Sequence, residues 1–453
     1  MPLSRLVLVA LLAASCGSDR ERPDIVLVTL DTTRADRLSC YGYEVETSPR
    51  LDELAADGVR FDRAISQAAV TPVAHASILT GRLPYEHGLR VMHGVVENEL
   101  PNEALTLAEV LRADGYATGA FVSAFPVTES FGFDQGFDTF DAEFLPRKID
   151  RLTNKKGVVR TGRVQRSAGE TVDRALAWLA KTPAPRFLWL HFFDPHDEQL
   201  LPPREFVAAY EPLPTEERER LRAIYDLEVT YMDRELARVW ESFRAEGSWE
   251  RSVVAVTADH GEGLGDHDWW THGVLYEEQI RVPLILRAPE LPRGAVVDAM
   301  VRTMDVMPTL LELAGLPESR TPPMDGVSLV GLARGERAEI PFAYAESVNR
   351  LTYGFTPTIR DEKHEILFTI TDGRWKYTHH LIEQQNSELY DLENDPLEAQ
   401  NLYATRPDQA ERLLDELKRR PFLPTRQLEE TGAASEHIEM LEALGYSGGS
   451  GEE

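Results

Sequence analysis

Three apolar runs in this chain end on residues of metal-binding type. Ile25 to Leu30 leads into Asp31; Phe187 to Phe193 leads into Asp194, with His196 two places on; Val253 to Thr257 leads into Asp259 and His260. Carboxylates and imidazoles are what divalent cations take as ligands. A lone Asp after a strand is ordinarily a cap or turn residue, but three such endings with histidines beside them point to one shared site. A fourth segment, Thr71-Pro72-Val73-Ala74-His75-Ala76-Ser77-Ile78-Leu79-Thr80-Gly81, has the punctuation of a short helix. Thr is a good N-cap, Pro is preferred at the first helical position and Gly suits the residue past the end, so a helix is predicted to open at Thr71. Its free amides and the positive end of its dipole would face an anion beside the Thr71 hydroxyl and favour the alkoxide form, which makes a seat for a nucleophile.

Positioning these residues requires an α/β architecture. Short apolar runs alternate with amphipathic stretches, the pattern of a large, mostly parallel central sheet flanked by helices. In open sheets of that kind the site lies beyond the carboxyl ends of the strands, so the three endings converge although far apart in sequence. Helical periodicity covers Ser48 to Asp57, Leu105 to Asp114, Ala168 to Ala180, Glu216 to Glu246 and Met307 to Ala314. Pro322 to Glu339 is rich in Pro, Gly and charge and reads as a linker. Beyond it, Phe368 to Tyr377 turns through Asp372-Gly373 as a hairpin would. The expected organisation is a catalytic α/β domain over 24–330, a smaller C-terminal α+β subdomain over 331–430, and a tail over 431–453 whose Gly-rich polar end suits disorder.

Asp and Glu outnumber Lys and Arg by 76 to 48, a formal charge of -28. That balance repels nucleic acid phosphates, so nucleic acid is not an expected partner. An anionic substrate stays compatible with it, because a metal ion and a few aimed cationic groups can dominate the field inside a cleft. The basic stretch Arg147, Lys148, Arg151, Lys155 and Lys156 is either a solvated loop or an approach to such a substrate.

The first residues have the form of an export signal: Arg5, the apolar run Leu6 to Leu12, then Ala13-Ala14-Ser15-Cys16. The run is too short to span a bilayer. Small residues ending in Cys16 resemble a bacterial lipobox, which implies a signal peptide over 1–16, a lipidated Cys16, a tether over 17–23 and a place in the bacterial cell envelope. The membrane would then be met only through that anchor. With Cys16 acylated, Cys40 has no disulfide partner; a Cys16–Cys40 bridge is the alternative.

The Thr71 segment continues Leu83-Pro84-Tyr85-Glu86-His87-Gly88, and together they resemble the sulfatase signature, usually Cys or Ser, then x-Pro-x-Arg, then a run ending in Thr-Gly. In family order follow "DIVLVTLDTTRADRLSCYGY", "HFFDPHDE", "TADHGEGLGDHDWW", "RVPLILRAP", "TMDVMPTLLELAG", "GRWKY" and "ELYDLENDPLEAQNL". The chain thus resembles the sulfatase branch of the alkaline phosphatase superfamily from about Pro23 to Leu402. The resemblance implies the alkaline phosphatase-like fold and a metal-dependent hydrolase of anionic esters. It also implies that Asp31, Thr71, Asp259 and His260 bind a divalent ion (Ca²⁺, Zn²⁺ or Mn²⁺). His75, His196 and His272 would serve catalysis by bonding the ester or protonating its leaving group, and Asp194, His196 and His272 would line the substrate. A second ion between Asp194 and His272 is the alternative, with His196, Glu198 and His267 as candidates for a further ligand. His87, between Pro84 and Gly88, reads as scaffold.

The departures bear on the chemistry. Sulfatases convert their Cys or Ser to formylglycine; Thr71 would yield a ketone at best, and Val73 and His75 stand where the modifying machinery expects Pro and Arg. Thr32 replaces the second Asp of the common Asp-Asp metal loop. Threonine is the nucleophile of superfamily members that cleave phosphodiesters or transfer phosphoethanolamine, so the expected substrate is a phosphodiester, phosphonate or phosphate ester carried by a small molecule, glycan or lipid. The alternatives are direct cleavage of a sulfate ester without formylglycine and an inactive glycan-binding relative.

Overall fold

Ile25–Leu30 (β1) is buried at every position, as a continuous apolar run must be when strands flank it on both sides and helices cover both faces. The computed structural model describes residues 22–90, 99–144, 165–196, 201–336, 340–348 and 366–421. Around β1 the strands Val59–Ile65 (β2), Ala117–Phe121 (β3), Thr139–Asp141 (β4), Arg186–Phe192 (β5), Val253–Ala258 (β6), Arg281–Arg287 (β7) and Ala295–Arg302 (β8) form one sheet in the order β4-β3-β5-β1-β6-β7-β2-β8. Among the described strands of this sheet only β7 runs antiparallel to its neighbours, so the sheet is mixed but mostly parallel.

The helices are α1 (Pro49–Ala56), α2 (Thr71–Thr80), α3 (Pro84–His87), α4 (Leu107–Ala113), α5 (Ala168–Leu179), α6 (Arg204–Val207), α7 (Glu217–Ala245), α8 (Glu277–Ile280), α9 (Val306–Leu313), α10 (Val330–Ala333) and α11 (Pro407–Lys418). The long α7 packs on α1 and α5, which touch β7, β3 and β5; α2, α4 and α10 gather around α9, which touches β6. Two helical layers thus cover the sheet.

A second, antiparallel sheet, ordered β12-β11-β10-β9, comprises Ala343–Ser347 (β9), Leu367–Thr371 (β10), Trp375–His380 (β11) and Glu388–Asp391 (β12). One face packs on α11 and the other on Leu275, Tyr276 and Ile280 of the large unit. The expected turn at Asp372-Gly373 joins β10 to β11, with Gly373 at φ 88°. A parallel bridge from Ala68 to Glu346 ties the two units together.

The stretch expected to be a linker is, as far as residue 336, part of the large unit. The amides of Asp325 and Gly326 both donate to the Gly81 carbonyl, and Leu329, Val330 and Ala333 are buried in the main core. Pro and Gly there shape a close-fitting turn instead of a spacer. The signal segment, Cys16, most of the tether, the basic stretch, Glu198 and the tail lie outside the described residues. Cys40 is a half-buried free thiol. No described helix is long and apolar enough to cross a membrane.

Candidate metal and nucleophile site

Register brings the first ligands together. Leu30, the last residue of β1, pairs with Phe192 of β5 on one side and Ala258 of β6 on the other, so Asp31 and Asp259 leave the sheet at the same level. Asp31, Asp259 and His260 each offer one ligand atom, all within 4.8 Å of one another, and all three residues are fully buried. Among the described residues this is the one such cluster of three. Asp259 Oδ1 accepts the amides of Thr32 (3.2 Å) and His260 (2.7 Å). Thr32 makes its bond from a left-handed backbone at φ 50°, a conformation rare for a β-branched residue.

Thr71 completes the group. The helix opens at Thr71 as expected, but Val70 is the cap and Thr71 the first helical residue. Thr71 Oγ1 lies 3.3 Å from His260 Nε2. Gly81 ends α2 in the expected left-handed conformation, with its amide on the Ser77 carbonyl.

The electrostatics call for positive charge. Asp31 Oδ1 and Asp259 Oδ2 have no hydrogen-bond partner although buried. Burial pushes both carboxyls well above the usual carboxylate range, and the neighbouring Asp31 adds to the push on Asp259. Burial likewise holds His260 well below the usual imidazole range, its Nδ1 bonded to the Gly261 carbonyl at 2.9 Å. Two orphaned carboxylate oxygens beside a neutral imidazole and a hydroxyl are a donor set that fits a divalent cation.

The other predicted residues divide. His196 Nε2 is 3.1 Å from His272 Nε2. His272 Nδ1 faces the Ala69 carbonyl at 2.9 Å and must donate to it; when both rings are neutral, His272 Nε2 is then the acceptor and His196 Nε2 carries the proton. Burial lowers the pKa of both, that of His272 to about 4. The His272 ring lies 4.4 Å from that of His260, so this pair borders the ligand cluster. Asp194, expected to line the substrate, is buried with Oδ1 accepting the Ala168 amide at the start of α5.

His75 does not fit the role of a leaving-group donor. One helical turn after Thr71, its Nδ1 donates to the Thr71 carbonyl at 2.8 Å. Its Nε2 sits 3.0 Å from Thr29 Oγ1, which in turn accepts from Trp189 Nε1. Both ring nitrogens are therefore engaged inside the protein. His267 is not at the cluster: it stacks on Tyr276 at 3.8 Å and pairs with Glu278 at 2.9 Å. His87 is scaffold as expected, buried between Ser77 Oγ (3.1 Å) and the Leu89 amide (3.2 Å).

Three residues escaped the sequence reading. His191 of β5 receives the Ser123 amide on Nδ1 at 3.2 Å, which places its ring proton on Nε2, 3.2 Å from Asp31 Oδ2. Arg34, nearly fully buried, reaches from the loop after β1 to the carbonyls of Glu262 and Gly263 and to Asp266, locking that loop to the one after β6. Gln279 holds the latter loop shut: its carbonyl takes the Gly261 amide, its Oε1 the Val274 amide, and its Nε2 donates to Thr271. His191 alone left a trace, as a polar residue within an apolar strand.

With this geometry in view, the family model described as Sulfatase matches residues 23–316. The chain belongs to the sulfatase family. A second model, N-sulphoglucosamine sulphohydrolase, C-terminal, matches residues 265–422 of this sulfatase-family chain. Relatives include an N-acetylglucosamine-6-O-sulfatase of Bacteroides thetaiotaomicron, 22% identical over 91% of this chain and 90% of that one. An arylsulfatase of Clostridium perfringens is 26% identical over 84% and 90% respectively. The fold is shared with a phosphonate monoester hydrolase of Agrobacterium radiobacter, at TM-score 0.68 and 23% identity over 88% of this chain and 95% of that chain. A putative sulfatase from Bacteroides thetaiotaomicron has TM-score 0.71 and 22% identity over 91% and 96%. This sulfatase-family chain is accordingly a hydrolase acting on ester bonds.

Proposed function

We propose that this chain hydrolyses a phosphodiester, phosphonate or phosphate ester through a covalent intermediate on Thr71. The observation that carries the reading is the Thr71 hydroxyl, fully buried at the start of α2 and 3.3 Å from His260 Nε2 beside two orphaned carboxylate oxygens. Asp31, Asp259, His260 and Thr71 would hold a divalent cation, which when bound lowers the pKa of the hydroxyl and neutralises charge on the transferring group. Thr71 Oγ1, its proton lost to solvent, forms a bond to phosphorus while the bond to the leaving oxygen breaks on the opposite side. His196 Nε2 donates a hydrogen bond to that oxygen, which takes its proton from water. Water then adds to phosphorus; the Thr71 oxygen departs with one of its protons and the other stays on the product. His75 holds the Thr71 backbone through its carbonyl, and the positive end of the α2 dipole lies at Thr71, where it favours an anion.

A second reading, direct cleavage of a sulfate ester by Thr71, draws support from the sulfatases among the relatives. It ranks behind because a sulfo-threonine lacks the exit that a formylglycine hydrate provides. The test is intact mass after a rapid acid quench with an aryl phosphodiester and an aryl sulfate. A phosphoryl adduct on Thr71, absent in Thr71→Ala together with at least about 10⁴-fold of the activity, is the expected result. A sulfo adduct alone would select the second reading, and turnover surviving in Thr71→Ala would remove both.

The same proposal places the protein in the bacterial cell envelope, exported and held by a lipid on Cys16, on the strength of the Arg5 to Cys16 segment.

A further inference from the structure

The site and the first described residues of the chain lie at opposite ends of the sheet. Asp24, directly before β1, is fully buried: its oxygens accept the Arg186 amide (2.8 Å) and guanidinium (2.7 Å), and its carbonyl takes the Val253 amide. Arg186 and Val253 are the first residues of β5 and β6. Two residues earlier, Arg22 pairs with Asp114 at 3.2 Å and covers the Tyr116 ring, just before β3 begins at Ala117. The chain therefore enters at the amino ends of four neighbouring parallel strands. Asp31, Ser123, Asp194 and Asp259 lie beyond the carboxyl ends of the same four. The six residues of β1 put about 20 Å of strand between these two levels.

Cys16 precedes Arg22 by six residues, which stretch to at most about 21 Å. A chain of this length has a radius of gyration of about 22 Å. For the site to meet the bilayer, the tether would have to pass from the amino ends of the strands round the flank of such a body, a path of several tens of ångströms.

We propose that the anchored protein holds its site facing away from its own bilayer and so acts on esters dissolved in the surrounding water, not on headgroups of the membrane that carries it. This rests on the lipid attachment at Cys16 and is independent of which ester is cut. It narrows the substrate class from any anionic ester to a water-soluble one.

The full-length protein purified from membranes tests both steps separately. The mass of the N-terminal peptide shows whether Cys16 is acylated; an unmodified Cys16 overturns the anchoring and this inference with it. Acylated protein carrying Cys40→Ala and a single fluorophore at Lys181→Cys or Thr271→Cys is then placed in phosphatidylglycerol/phosphatidylcholine vesicles containing a headgroup-bound quencher. Lys181 is exposed just before β5, at the amino ends of the strands, and Thr271 is exposed beside His272. Quenching at 181 several-fold stronger than at 271 is expected; equal or reversed quenching overturns the orientation while leaving the anchor standing. A fluorogenic headgroup ester should be cut no faster in the enzyme's own vesicles than in separate ones, and a several-fold preference for its own vesicles would refute the inference.

Discussion

At His191 a single hydrogen atom decides the geometry of the ligand cluster. The Ser123 amide can only donate, so the ring donates through Nε2 to Asp31 Oδ2 and leaves Oδ1 as the oxygen that would hold a divalent cation. Partners of this kind behind a metal ligand typically change affinity by about 10–100-fold. His191→Phe should weaken divalent-cation binding by that factor in isothermal titration, and His191→Gln, which offers an amide N–H at a similar reach, should recover most of it. Equal affinity in all three proteins would remove the residue from this role. Asp31, Asp259 and His260 could be named from sequence because each follows an apolar strand and bears a ligand atom. His191 could not: a histidine inside a strand reads as a core residue until the strand beside it, and the amide that sets its tautomer, are known. His75 shows the converse, since its place in the motif suggested contact with substrate whereas the turn of the helix gives it the Thr71 carbonyl.

Element ends were legible where side-chain chemistry alone sets them. Gly81 stops α2 because a left-handed residue is required there, and the five predicted helices all formed within two residues of the expected bounds. What misled was competition between partners. Thr71 has the preferences of a cap, yet helical geometry begins one residue earlier and leaves its hydroxyl to the cluster. The Pro- and Gly-rich stretch after Thr321 looked like a spacer because its partner, the end of α2, is some 240 residues away in sequence. The α2–α3 connection also carries a pH signature. Burial, with help from Arg82 and Arg90, lowers the pKa of His87 from the ordinary 6.5 to about 3. Between those values the unfolded chain binds a proton that the folded chain does not, so stability rises with pH across that window and is lost on acidification. His87→Gln should flatten the dependence of unfolding free energy on pH between 6.5 and 3 by up to about 1.4 kcal/mol per pH unit. Denaturant titrations at several pH values measure it, and an unchanged slope would show that the ring is protonated in the fold.

At the scale of the whole molecule, the two sheets are joined by a buried charge. Lys376 of β11 is inaccessible and lies 3.0 Å from Glu277 at the start of α8 and 2.9 Å from Glu398. Burial works against its charge, but Glu398 and Glu277 outweigh it and hold its pKa above the ordinary lysine value. Removing one member of such a group leaves uncompensated charge in the interior, so Lys376→Met should cost about 3–5 kcal/mol. Chemical denaturation checks the value; a loss below about 1 kcal/mol would mean that water reaches the cluster. The seam runs close to Thr71: Gln67 gives its carbonyl to the Glu346 amide, Ala68 bridges to the same residue and Ala69 gives its carbonyl to His272. The backbone just ahead of Thr71 is therefore pinned by a residue nearly three hundred positions further along, so the wall around that hydroxyl closes only once the small sheet has docked.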